Sequence, residues 1–533
     1  MASMEGNLLI TGNWENAGEN SEPNLSERHL NWWNGFNTFN NDDDPGGPGL
    51  TVHEGGDYLV SSAYLTRGEG AIRESDAPYS QNSVSPERVT SDYHFYYPKE
   101  IEWLSIDEDL NGIEQIKQII MDYGVIGTCM CYSSSFIEDF IHYQTPSNSK
   151  DPNHAVAIVG WDDNKETQAP EKGAWLCKNS WGSSWGLNGY FWISYYDKHC
   201  CKHPEMGAVS FQDVDLFDFD NVYYHDYHGW RDTKTDCSEA FNVFVAEGDE
   251  ILDAVSFFTA DDDVDYRVEV YDSFEDGELK YLLSSEEGSI DFRGFHTIDL
   301  SSPVGFKEGD DFYLYLYLSK GGHPFDRTSE VPVLLVVTAI QDTIVVSKAS
   351  AGESYYHENG KWKDLFYKPL GDPEWFGTAN FCIKGLSYNW NPTDADLNAY
   401  GDIDVSGARA GSTVDTKIYI ENVGEDLSSL SWEIKETPGW GDWTFSKESG
   451  DYLKPEGSPE EISVRIKLPN GQEDLTGELI VVNKENPDDV VSLSVNVDSL
   501  HKSSKVRFNL RDLLDNFLSE ERPIFKRILS NFL

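Results

Sequence analysis

The sequence predicts a chain of several domains, in which a mixed α+β domain precedes two all-β sandwiches and a short C-terminal amphipathic helix. Three observations support this fold class. The 533 residues exceed one domain, because a domain typically holds roughly 100–200 residues. Helical and extended apolar patterns are mixed in residues 1–212. From residue 213 onward, short alternating runs between Gly, Asp and Ser turns replace them.

The first domain is predicted to span residues 1–212. Isoleucines at helical spacing predict a helix over 113–123, and a similar apolar rhythm predicts a helix over 57–66. Apolar runs bounded by glycine predict buried strands over 155–160 and 189–195. A domain of helices and strands follows from these patterns.

Two sandwiches are predicted after this domain. Residues 213–388 carry short alternating strands, among them 331–340, and no helical pattern, which is typical of an antiparallel β-sandwich. Residues 389–399 contain a proline and few apolar residues and are predicted to be a linker. Six or seven further strands fall within residues 400–499, which is the size of an immunoglobulin-like sandwich.

The segment 500–533 has a different composition from the rest of the chain. Its apolar residues share one helical face, and its seven Lys and Arg exceed its four Asp and Glu. We predict an amphipathic helical tail. Such a helix could dock onto the acidic surface of the chain itself, or it could bind an interface or a partner.

The charge of the chain excludes several classes of partner. Forty Lys and Arg against 94 Asp and Glu give a formal net charge of −54. A surface this acidic repels phosphate backbones and anionic membranes, so we expect no nucleic-acid partner. High net charge also suggests disorder, but 16 Trp, 28 Tyr and 27 Phe supply ample core. The sequence therefore predicts an acidic globular protein adapted to salt.

The sequence offers no sign of a membrane span, a metal or a cofactor. No run of about 18 apolar residues occurs, so we expect no transmembrane segment. The start MASMEGN has neither the basic residues nor the apolar stretch of a signal peptide. Seven scattered cysteines form neither a disulfide scaffold nor paired zinc knuckles. We therefore expect no metal and no cofactor.

Two segments carry the candidate chemistry. His154 stands at the mouth of a predicted buried strand, and Asn179 followed by Trp181 stands at the end of another. A histidine whose second ring nitrogen is held by an asparagine forms the base and its orienting residue in a Cys-His-Asn constellation. We therefore take His154, Asn179 and Trp181 as candidate site residues.

The sequence motifs around these residues resemble those of the papain family of cysteine peptidases, and the resemblance covers about residues 1–200. The segment KNSWGSSWGLNGY closely follows that family's asparagine-loop signature. The segments that resemble the family's motifs are LSER (25–28), GG (55–56), IRESDAPY (72–79), HAV (154–156) and KNSWGSSWGLNGY (178–190).

The resemblance implies a role for each matching residue. His154 would be the general base and acid, Asn179 would orient it, and Trp181 would screen their hydrogen bond from water. Gly55 and Gly56 would pair their backbone with an extended peptide substrate. The implied partner is therefore a peptide or protein.

The chain departs from the family at three places. The cysteines beside the LSER helix and before the glycine pair are absent, so the family's usual disulfides cannot form. Asn153 replaces the acidic residue that often precedes the histidine. The third departure is decisive, because the Gln-x-x-Cys-Gly-Ser-Cys-Trp-like motif that carries the nucleophile is missing.

Three other cysteines are rejected as the nucleophile. Cys129 and Cys131 fall in a predicted strand after Gly124, and Cys177 falls on the strand before Asn179. None of these cysteines can open a helix whose dipole lowers the thiol pKa. We therefore expect this chain to cleave nothing as it stands.

The alignment with the family runs intact up to Met1. We expect that the catalytic Cys motif and a signal peptide lie upstream of this start. The alternative is a pseudoenzyme, which would more typically keep the helix and substitute its cysteine.

The later domains carry weaker resemblances. The pattern YYxDxxGW (223–230), with segments near 352–356, 362–365 and 380–384, is similar to the lectin-like sandwich fused to archaeal papain-like peptidases. Sugar binding is implied by that resemblance. Residues 400–499 resemble immunoglobulin-like modules of archaeal surface proteins. The aspartates at 42–44 and 261–263 could hold calcium, but neither triplet follows an EF-hand pattern, and we favour solvated turns.

The leading functional hypothesis is a secreted or surface-associated cysteine endopeptidase that works through a thiolate and an acyl-enzyme. The β-modules would tether it to a cell surface or to a polysaccharide. The alternative is a non-catalytic adhesion or carbohydrate-binding protein with a relic peptidase fold.

Overall fold

The structure, a computed structural model, describes residues 1–53, 55–80, 84–332, 343–390, 395–424, 428–471 and 474–499. It divides into two compact units, residues 1–392 and residues 393–533. The predicted tail over 500–533 lies outside the described residues, as do parts of the predicted strand 331–340 and of the predicted linker 389–399. Among the described residues, no helix is both long enough and apolar enough to cross a membrane.

The first part of unit 1 contains the predicted mixture of helices and strands. Its helices are α1 (Ala2–Thr11), α2 (Asn13–Asn16), α3 (Glu27–Trp33), α4 (Tyr58–Thr66) and α5 (Ile113–Tyr123). Its strands are β1 (Tyr96–Leu104), β2 (Ile126–Met130), β3 (Ile137–Glu138), β4 (Ile141–His142), β5 (His154–Asp162), β6 (Ala174–Lys178), β7 (Tyr190–Ser194) and β8 (Ala208–Leu216).

The predicted helix over 113–123 is confirmed by α5. Its isoleucines face the core, where Ile116 packs with Trp175 of β6 and Phe191 of β7. The helix ends at Gly124, whose φ of 96° suits glycine. The helix predicted over 57–66 is also confirmed, since α4 begins after Asp57, whose carboxylate caps it. These elements form because their apolar residues recur at helical spacing.

The second part of unit 1 is built from strands, as predicted. They are β9 (Asn221–Tyr223), β10 (Asp232–Lys234), β11 (Glu239–Val245), β12 (Glu250–Thr259), β13 (Val264–Glu275), β14 (Glu278–Ile290), β15 (Gly294–Phe306), β16 (Asp311–Leu318), β17 (His323–Asp326), β18 (Ser329–Val331), β19 (Thr343–Val345), β20 (Ser354–Glu358), β21 (Lys361–Asp364), β22 (Asn380–Phe381) and β23 (Ile383–Asn389). Two short 3₁₀ turns, Leu365–Tyr367 and Pro373–Trp375, interrupt them.

One sheet runs through both parts of unit 1. Its order is β3-β4-β7-β6-β5-β2-β8-β1-β15-β12-β23-β9, so β1 of the first part pairs with β15 of the second. Strand β8 crosses the predicted boundary after residue 212. The core is shared as well, because Met4 and Leu8 of α1 belong to the same buried cluster as Phe258 and Phe295. The two parts therefore fold as one compact unit.

A second sheet, with the order β14-β13-β16-β11-β20-β21, packs against the β-rich end of the first. The core between them contains Leu314 and Leu316 of β16 and Leu252 and Val255 of β12. Alternate residues of β16 are apolar and buried, which is the pattern of a strand with one face on a core.

The described part of unit 2 consists of two sheets around their own core. Its strands are β24 (Leu397–Tyr400), β25 (Ile403–Ala408), β26 (Thr413–Asn422), β27 (Leu430–Glu436), β28 (Asp442–Phe445), β29 (Ser449–Leu453), β30 (Glu460–Lys467), β31 (Leu475–Asn483) and β32 (Val490–Ser499). The sheet orders are β24-β26-β30-β28 and β25-β32-β31-β27-β29. Trp432 is fully buried between them, with Ile418 and Leu479. The packing of two sheets matches the sandwich that the alternating pattern predicted.

Candidate active site

His154 is the first residue of β5 and pairs with Met130 of β2. The preceding Asn153 fixes this position. Its backbone N–H donates to the Met130 carbonyl at 3.0 Å. Its side chain accepts from the Tyr132 N–H at 2.6 Å and donates to the Tyr132 carbonyl at 3.2 Å. Asn153 therefore anchors the loop that precedes His154.

Asn179 directly follows β6 and is held by the loop after it. Its backbone N–H donates to the Gly189 carbonyl at 2.9 Å. Its Oδ1 accepts from the Ser180 N–H and from His154 Nε2, each at 2.8 Å. Because the backbone N–H of Ser180 can only donate, the amide oxygen is the atom that faces both groups. His154 Nε2 therefore carries a hydrogen, and its Nδ1 carries the lone pair.

Trp181 covers the imidazole. Its ring stacks on His154 with centroids 4.7 Å apart and planes at 22°. Tyr132 and Trp185 pack edge-on against the same indole at 4.6 and 5.0 Å. The structure thus brings together the three predicted residues, and it adds Tyr132. No motif pointed to Tyr132, because the pairing of β2 with β5 brings it to the site.

The surroundings of His154 favour its neutral form. Burial lowers the pKa of the imidazole below its usual value, and the hydrogen bond to Asn179 partly offsets this. In the part of the chain that the structure describes, no side chain bonds to His154 Nδ1, and the buried Asn179 Nδ2 has no partner. A neutral imidazole with a free Nδ1 can accept a proton from a group placed beside it.

A groove of about 420 Å³ opens next to His154 and Asn179. Its walls include Met1 and Ala2 at the start of α1, and Asn179 and Ser180. The N-terminus of α1 therefore meets the strand ends that hold the histidine and the asparagine. Helix N-termini favour negative charge, such as that of a thiolate.

Gly55 and Gly56 line a neighbouring groove of about 210 Å³ together with Tyr58 and Met206. Gly55 has a φ of 97°, a conformation that favours glycine. A Cβ on Gly56 would lie 3.6 Å from Val60, which is ordinary contact. Space inside the protein therefore does not require glycine at position 56, and the bare backbone is available to a molecule in the groove.

Glu27 was not singled out by the sequence, although it belongs to the LSER segment. It lines both grooves with Tyr58 and Leu30. Burial raises the pKa of its carboxyl, and the nearby Glu5 and Glu74 act in the same direction. A carboxyl at the junction of two grooves can select among charged groups that enter them.

The three cysteines rejected from the sequence lie in the interior. Cys129 packs with Met206 and Tyr58, and Cys177 belongs to the core around Trp175. Burial raises the pKa of the Cys129 and Cys177 thiols well above the usual value and raises that of Cys131. A buried thiol of high pKa is a poor nucleophile.

One expectation about the acidic triplets is wrong. Residues 261–263 are exposed, as predicted for a solvated turn. Asp43 is not, since its side chain is only 18% exposed and faces the buried His228. The sequence placed Asp43 in a turn correctly, but it could not show that the second part of unit 1 covers this turn.

Comparison with known proteins agrees with the two-part construction of unit 1. Residues 50–210 match the family described as papain family cysteine protease, and residues 222–387 match the lectin-like domain family. A cathepsin B-like cysteine proteinase 1 of Ostertagia ostertagi is 30% identical over 122 residues, which are 22% of this chain and 33% of that protein. Procathepsin L of Felis catus is 39% identical over 67 residues, which are 12% of this chain and 20% of that protein. The chain thus spans a third or less of these two relatives.

A solved structure has the same combination of folds. The clostridial cysteine protease Cwp84 after propeptide cleavage superposes with a TM-score of 0.59 and 24% identity, over 73% of this chain and 92% of that one. A second structure comprises the cysteine protease and lectin-like domains of Cwp84, described as a surface layer associated protein of Clostridium difficile, with a TM-score of 0.58, 24% identity, 73% of this chain and 83% of that chain. This likeness concerns the fold.

Proposed function

We propose that this chain, which carries a papain-family cysteine peptidase domain followed by a lectin-like domain, serves peptide-bond hydrolysis at a cell surface or outside the cell. One observation carries the proposal. The 2.8 Å bond from His154 Nε2 to Asn179 Oδ1, under the ring of Trp181, leaves Nδ1 as the proton acceptor. This is the arrangement that a thiol nucleophile needs for its activation.

The chemistry divides between His154 and a thiolate. Nδ1 takes the thiol proton, and the thiolate attacks the peptide carbonyl. The protonated imidazole then gives its proton to the leaving amine, and water hydrolyses the acyl-enzyme. Asn179 holds the ring in the required tautomer, and Trp181 keeps water from their bond. The backbone at Gly55 and Gly56 offers hydrogen-bonding groups to an extended peptide in the adjoining groove.

Residues 1–533 by themselves are proposed to be inactive. The seven cysteines are all buried, and none of the six whose pKa shifts are resolved has a lowered thiol pKa. A thiol from outside these residues would have to enter the groove beside Met1. The N-terminus of α1 lies in the wall of that groove, and a helical segment continuing α1 backwards would reach it.

Activity in two versions of the protein tests this proposal. One version is residues 1–533, and the other adds the segment encoded upstream in the same reading frame. We expect no cleavage of fluorescein-labelled casein by the first, and cleavage that iodoacetamide abolishes by the second. In the longer version, His154→Ala should lower kcat/KM by about 10²-fold or more, since general-base catalysis contributes that much.

The matched control is His94→Ala in the longer version. His94 pairs with Glu19 and is 40% exposed, and it does not line the groove. We expect its activity to be unchanged. Cleavage by His154→Ala at the rate of the unsubstituted protein would refute the site assignment. An upstream frame that encodes no cysteine-bearing segment would favour the relic peptidase fold.

A second candidate function, carbohydrate binding, is favoured by the outer face of the sheet β14-β13-β16-β11-β20-β21. The inner residues of β16 lie in the core, so Tyr313, Tyr315 and Tyr317 lie on the opposite face of the strand. Tyr313 and Tyr317 are half-buried there, and Tyr315 is buried. The ring of Phe241 stacks on Tyr355 at 4.7 Å, and Trp362 packs against it edge-on at 4.7 Å.

Polar groups stand between these rings. The Tyr315 hydroxyl donates to Glu239 at 3.0 Å, and Arg267 donates to the same hydroxyl at 3.2 Å. The Tyr271 hydroxyl donates to Glu269 at 2.9 Å. The half-buried rings of Tyr355 and Trp362 offer apolar surface beside oriented carboxylates, which suits the apolar faces and hydroxyls of a sugar. We infer that this face binds a neutral surface polysaccharide.

Retention of the protein on immobilised polysaccharides measures this function. Trp362→Ala should weaken retention at least about 10-fold, because the sugar loses a half-buried ring on which it can stack. Tyr400→Ala is the control, since Tyr400 lies in unit 2 and stacks only on Tyr419. Equal retention of both variants, each with an unchanged near-UV spectrum, would exclude this face as the binding site.

The remaining divisions of the chain are also proposals. We propose a peptidase domain over 1–212, a lectin-like sandwich over 213–388, a linker over 389–399, an immunoglobulin-like sandwich over 400–499 and a helical tail over 500–533. The two sheets and the separate core of unit 2 support the assignment of 400–499.

A further inference from the structure

Three side chains that play no part in the proposed peptidase or sugar sites meet inside unit 1. They are Asp43 from the loop after α3, His228 from the loop after β9, and Asp326 at the end of β17. One oxygen or nitrogen of each lies within 4.8 Å of the others. The side chains of His228 and Asp326 are each 1% exposed. The cluster joins the peptidase part to the lectin-like part.

The hydrogen bond of His228 to Gly35 fixes its tautomer. Nε2 lies 3.1 Å from the Gly35 carbonyl, which can only accept, so Nε2 carries a hydrogen. The lone pair is therefore on Nδ1, which lies 3.8 Å from Asp43 Oδ2 and 3.9 Å from Asp326 Oδ2. A histidine that ligates a metal commonly donates its other N–H to a backbone carbonyl in this way.

The Ser347 hydroxyl has two acceptors of the cluster within reach. The Ser347 hydroxyl lies 2.8 Å from Asp326 Oδ1 and 2.9 Å from His228 Nδ1. Its single hydrogen can serve one of the two. If it serves the carboxylate, Nδ1 faces only lone pairs of Ser347, Asp43 and Asp326. In that arrangement the atoms around Nδ1 form a set of lone pairs to which a cation can bind.

The distances favour a metal ion. Separations of 3.8 and 3.9 Å are too long for hydrogen bonds. Ligands of one zinc ion each lie about 2.0–2.2 Å from it and hence roughly 3.3–3.6 Å from one another. A contraction of a few tenths of an ångström would bring the two distances from His228 Nδ1 into that range, and the three ligand atoms already lie within 4.8 Å of one another.

Each ligand is oriented by a second hydrogen bond. Asp43 Oδ2 accepts from the Lys348 N–H at 3.0 Å, and Asp326 Oδ2 accepts from the His228 N–H at 3.0 Å. Phe36 packs edge-on against the His228 ring at 4.7 Å. Such supporting contacts hold ligands in place around an ion.

The charge of the cluster points the same way. Asp43 and Asp326 place two carboxyl groups close to one another, and the Asp326 side chain is 1% exposed. The nearby Arg67 is already bonded to Glu69, Asn34 and Tyr227. A divalent ion between the two carboxylates would offset their charge.

We propose that Asp43, His228 and Asp326 bind one divalent transition-metal ion of the zinc type, with the Ser347 hydroxyl beside it. One nitrogen and two carboxylate ligands suit zinc better than calcium, which takes six to eight oxygens. The ion ties the loop at Asp43 to the lectin-like part. This site is independent of the proposed peptidase chemistry, because no residue of the groove at His154 takes part.

Metal content and binding in the full chain test the site. The protein is stripped with a chelator, dialysed and titrated with ZnCl₂ by calorimetry, and the zinc is counted by mass spectrometry. We expect one equivalent of zinc and a melting temperature that rises with zinc concentration. Co²⁺ in its place should give visible absorption typical of nitrogen and oxygen ligands.

Two variants and one control complete the experiment. Asp43→Asn and His228→Gln should each weaken zinc binding at least 10-fold, and Asp43, which is partly exposed, is the variant expected to fold normally. Asp261→Asn, in the exposed aspartate triplet, should keep one equivalent.

Absence of stoichiometric zinc in the stripped and titrated protein would overturn the proposal in favour of a captive proton. Zinc bound equally by Asp43→Asn would also overturn it. Calcium bound in place of zinc would overturn the assigned class of ion.

Discussion

At the scale of single residues, His154 and Asn179 were predicted because each lies in a recognisable sequence motif. Their contact spans 25 positions of the chain, and it arises because β5 and β6 are neighbours in one sheet. Tyr132 and Glu27 could not be predicted in the same way. Each reaches the site through strand pairing or helix packing, and neither stands at a diagnostic spacing from His154.

His29 gives a residue-scale prediction about pH. Its Nδ1 accepts from the Tyr64 hydroxyl at 2.6 Å, and its Nε2 donates to the Arg88 carbonyl at 2.9 Å, so the neutral ring is fully bonded. Burial lowers its pKa to about 4. Between pH 6.5 and 4 the unfolded chain binds a proton that the native protein does not. We therefore expect His29 to cost stability as the pH falls, by roughly 3 kcal/mol at pH 4.

The variant His29→Gln isolates this effect. Glutamine can keep one donor and one acceptor but cannot titrate in this range. We compare the free energies of urea unfolding of the two proteins. Relative to the unsubstituted protein, the variant should gain roughly 3 kcal/mol between pH 7 and pH 4. A difference that stays constant with pH would contradict the neutral, buried assignment of His29.

At the scale of elements, the start of helix α3 depends on one hydroxyl. Ser26 Oγ accepts from the His29 N–H at 3.1 Å and donates to the Ala77 carbonyl at 2.6 Å, and the residue is fully buried. Its removal leaves a buried donor and a buried acceptor unpaired. We expect Ser26→Ala to lower the free energy of unfolding by about 2 kcal/mol.

The matched control is Ser135→Ala on an exposed loop. Among the described residues, the Ser135 hydroxyl bonds to the Ser133 hydroxyl at 2.9 Å, and the Ser135 N–H donates to the same hydroxyl at 3.4 Å. The free energy of unfolding, measured in urea, should change by less than about 0.5 kcal/mol in this variant. Equal effects of the two substitutions would show that the cap of α3 does not stabilise the fold.

Elements with strong periodicity were predictable. Helix α5 occupies its predicted position because its apolar residues repeat with the helical period of 3.6 residues and face a core. Strand β5 occupies its predicted position because its apolar residues form a continuous run. The predicted domain boundary after residue 212 falls inside strand β8. Its partner β1 also pairs with β15 of the second part, and a pairing across about 200 positions leaves no local signal.

At the scale of the whole molecule, the net charge of −54 predicts a dependence on salt. Self-repulsion of the carboxylates opposes the compact state and is screened when the Debye length falls from about 10 Å at 0.1 M to 3 Å at 1 M. Exposed ion pairs, which salt weakens, contribute little. We expect the melting temperature to rise by several degrees between 0.1 and 1 M NaCl.

Differential scanning calorimetry in NaCl at fixed pH measures this rise. Surface carboxyl groups are ionised at pH 7.5, so the comparison changes their screening and not their charge. A melting temperature that falls over this range would show that ion pairs, and not net repulsion, dominate the electrostatic free energy.

The sequence by itself determined the fold classes, the peptidase-like histidine and asparagine, and the acidic surface. Periodicity and sequence motifs involve residues that are close together in the chain, and composition does not depend on how the chain folds. Only the tertiary structure decided that one sheet joins the two parts of unit 1, that Tyr132 packs against Trp181, and that Asp43 faces the buried His228. These facts depend on contacts between residues far apart in the chain. Such contacts follow from how whole surfaces pack, and no short segment records them.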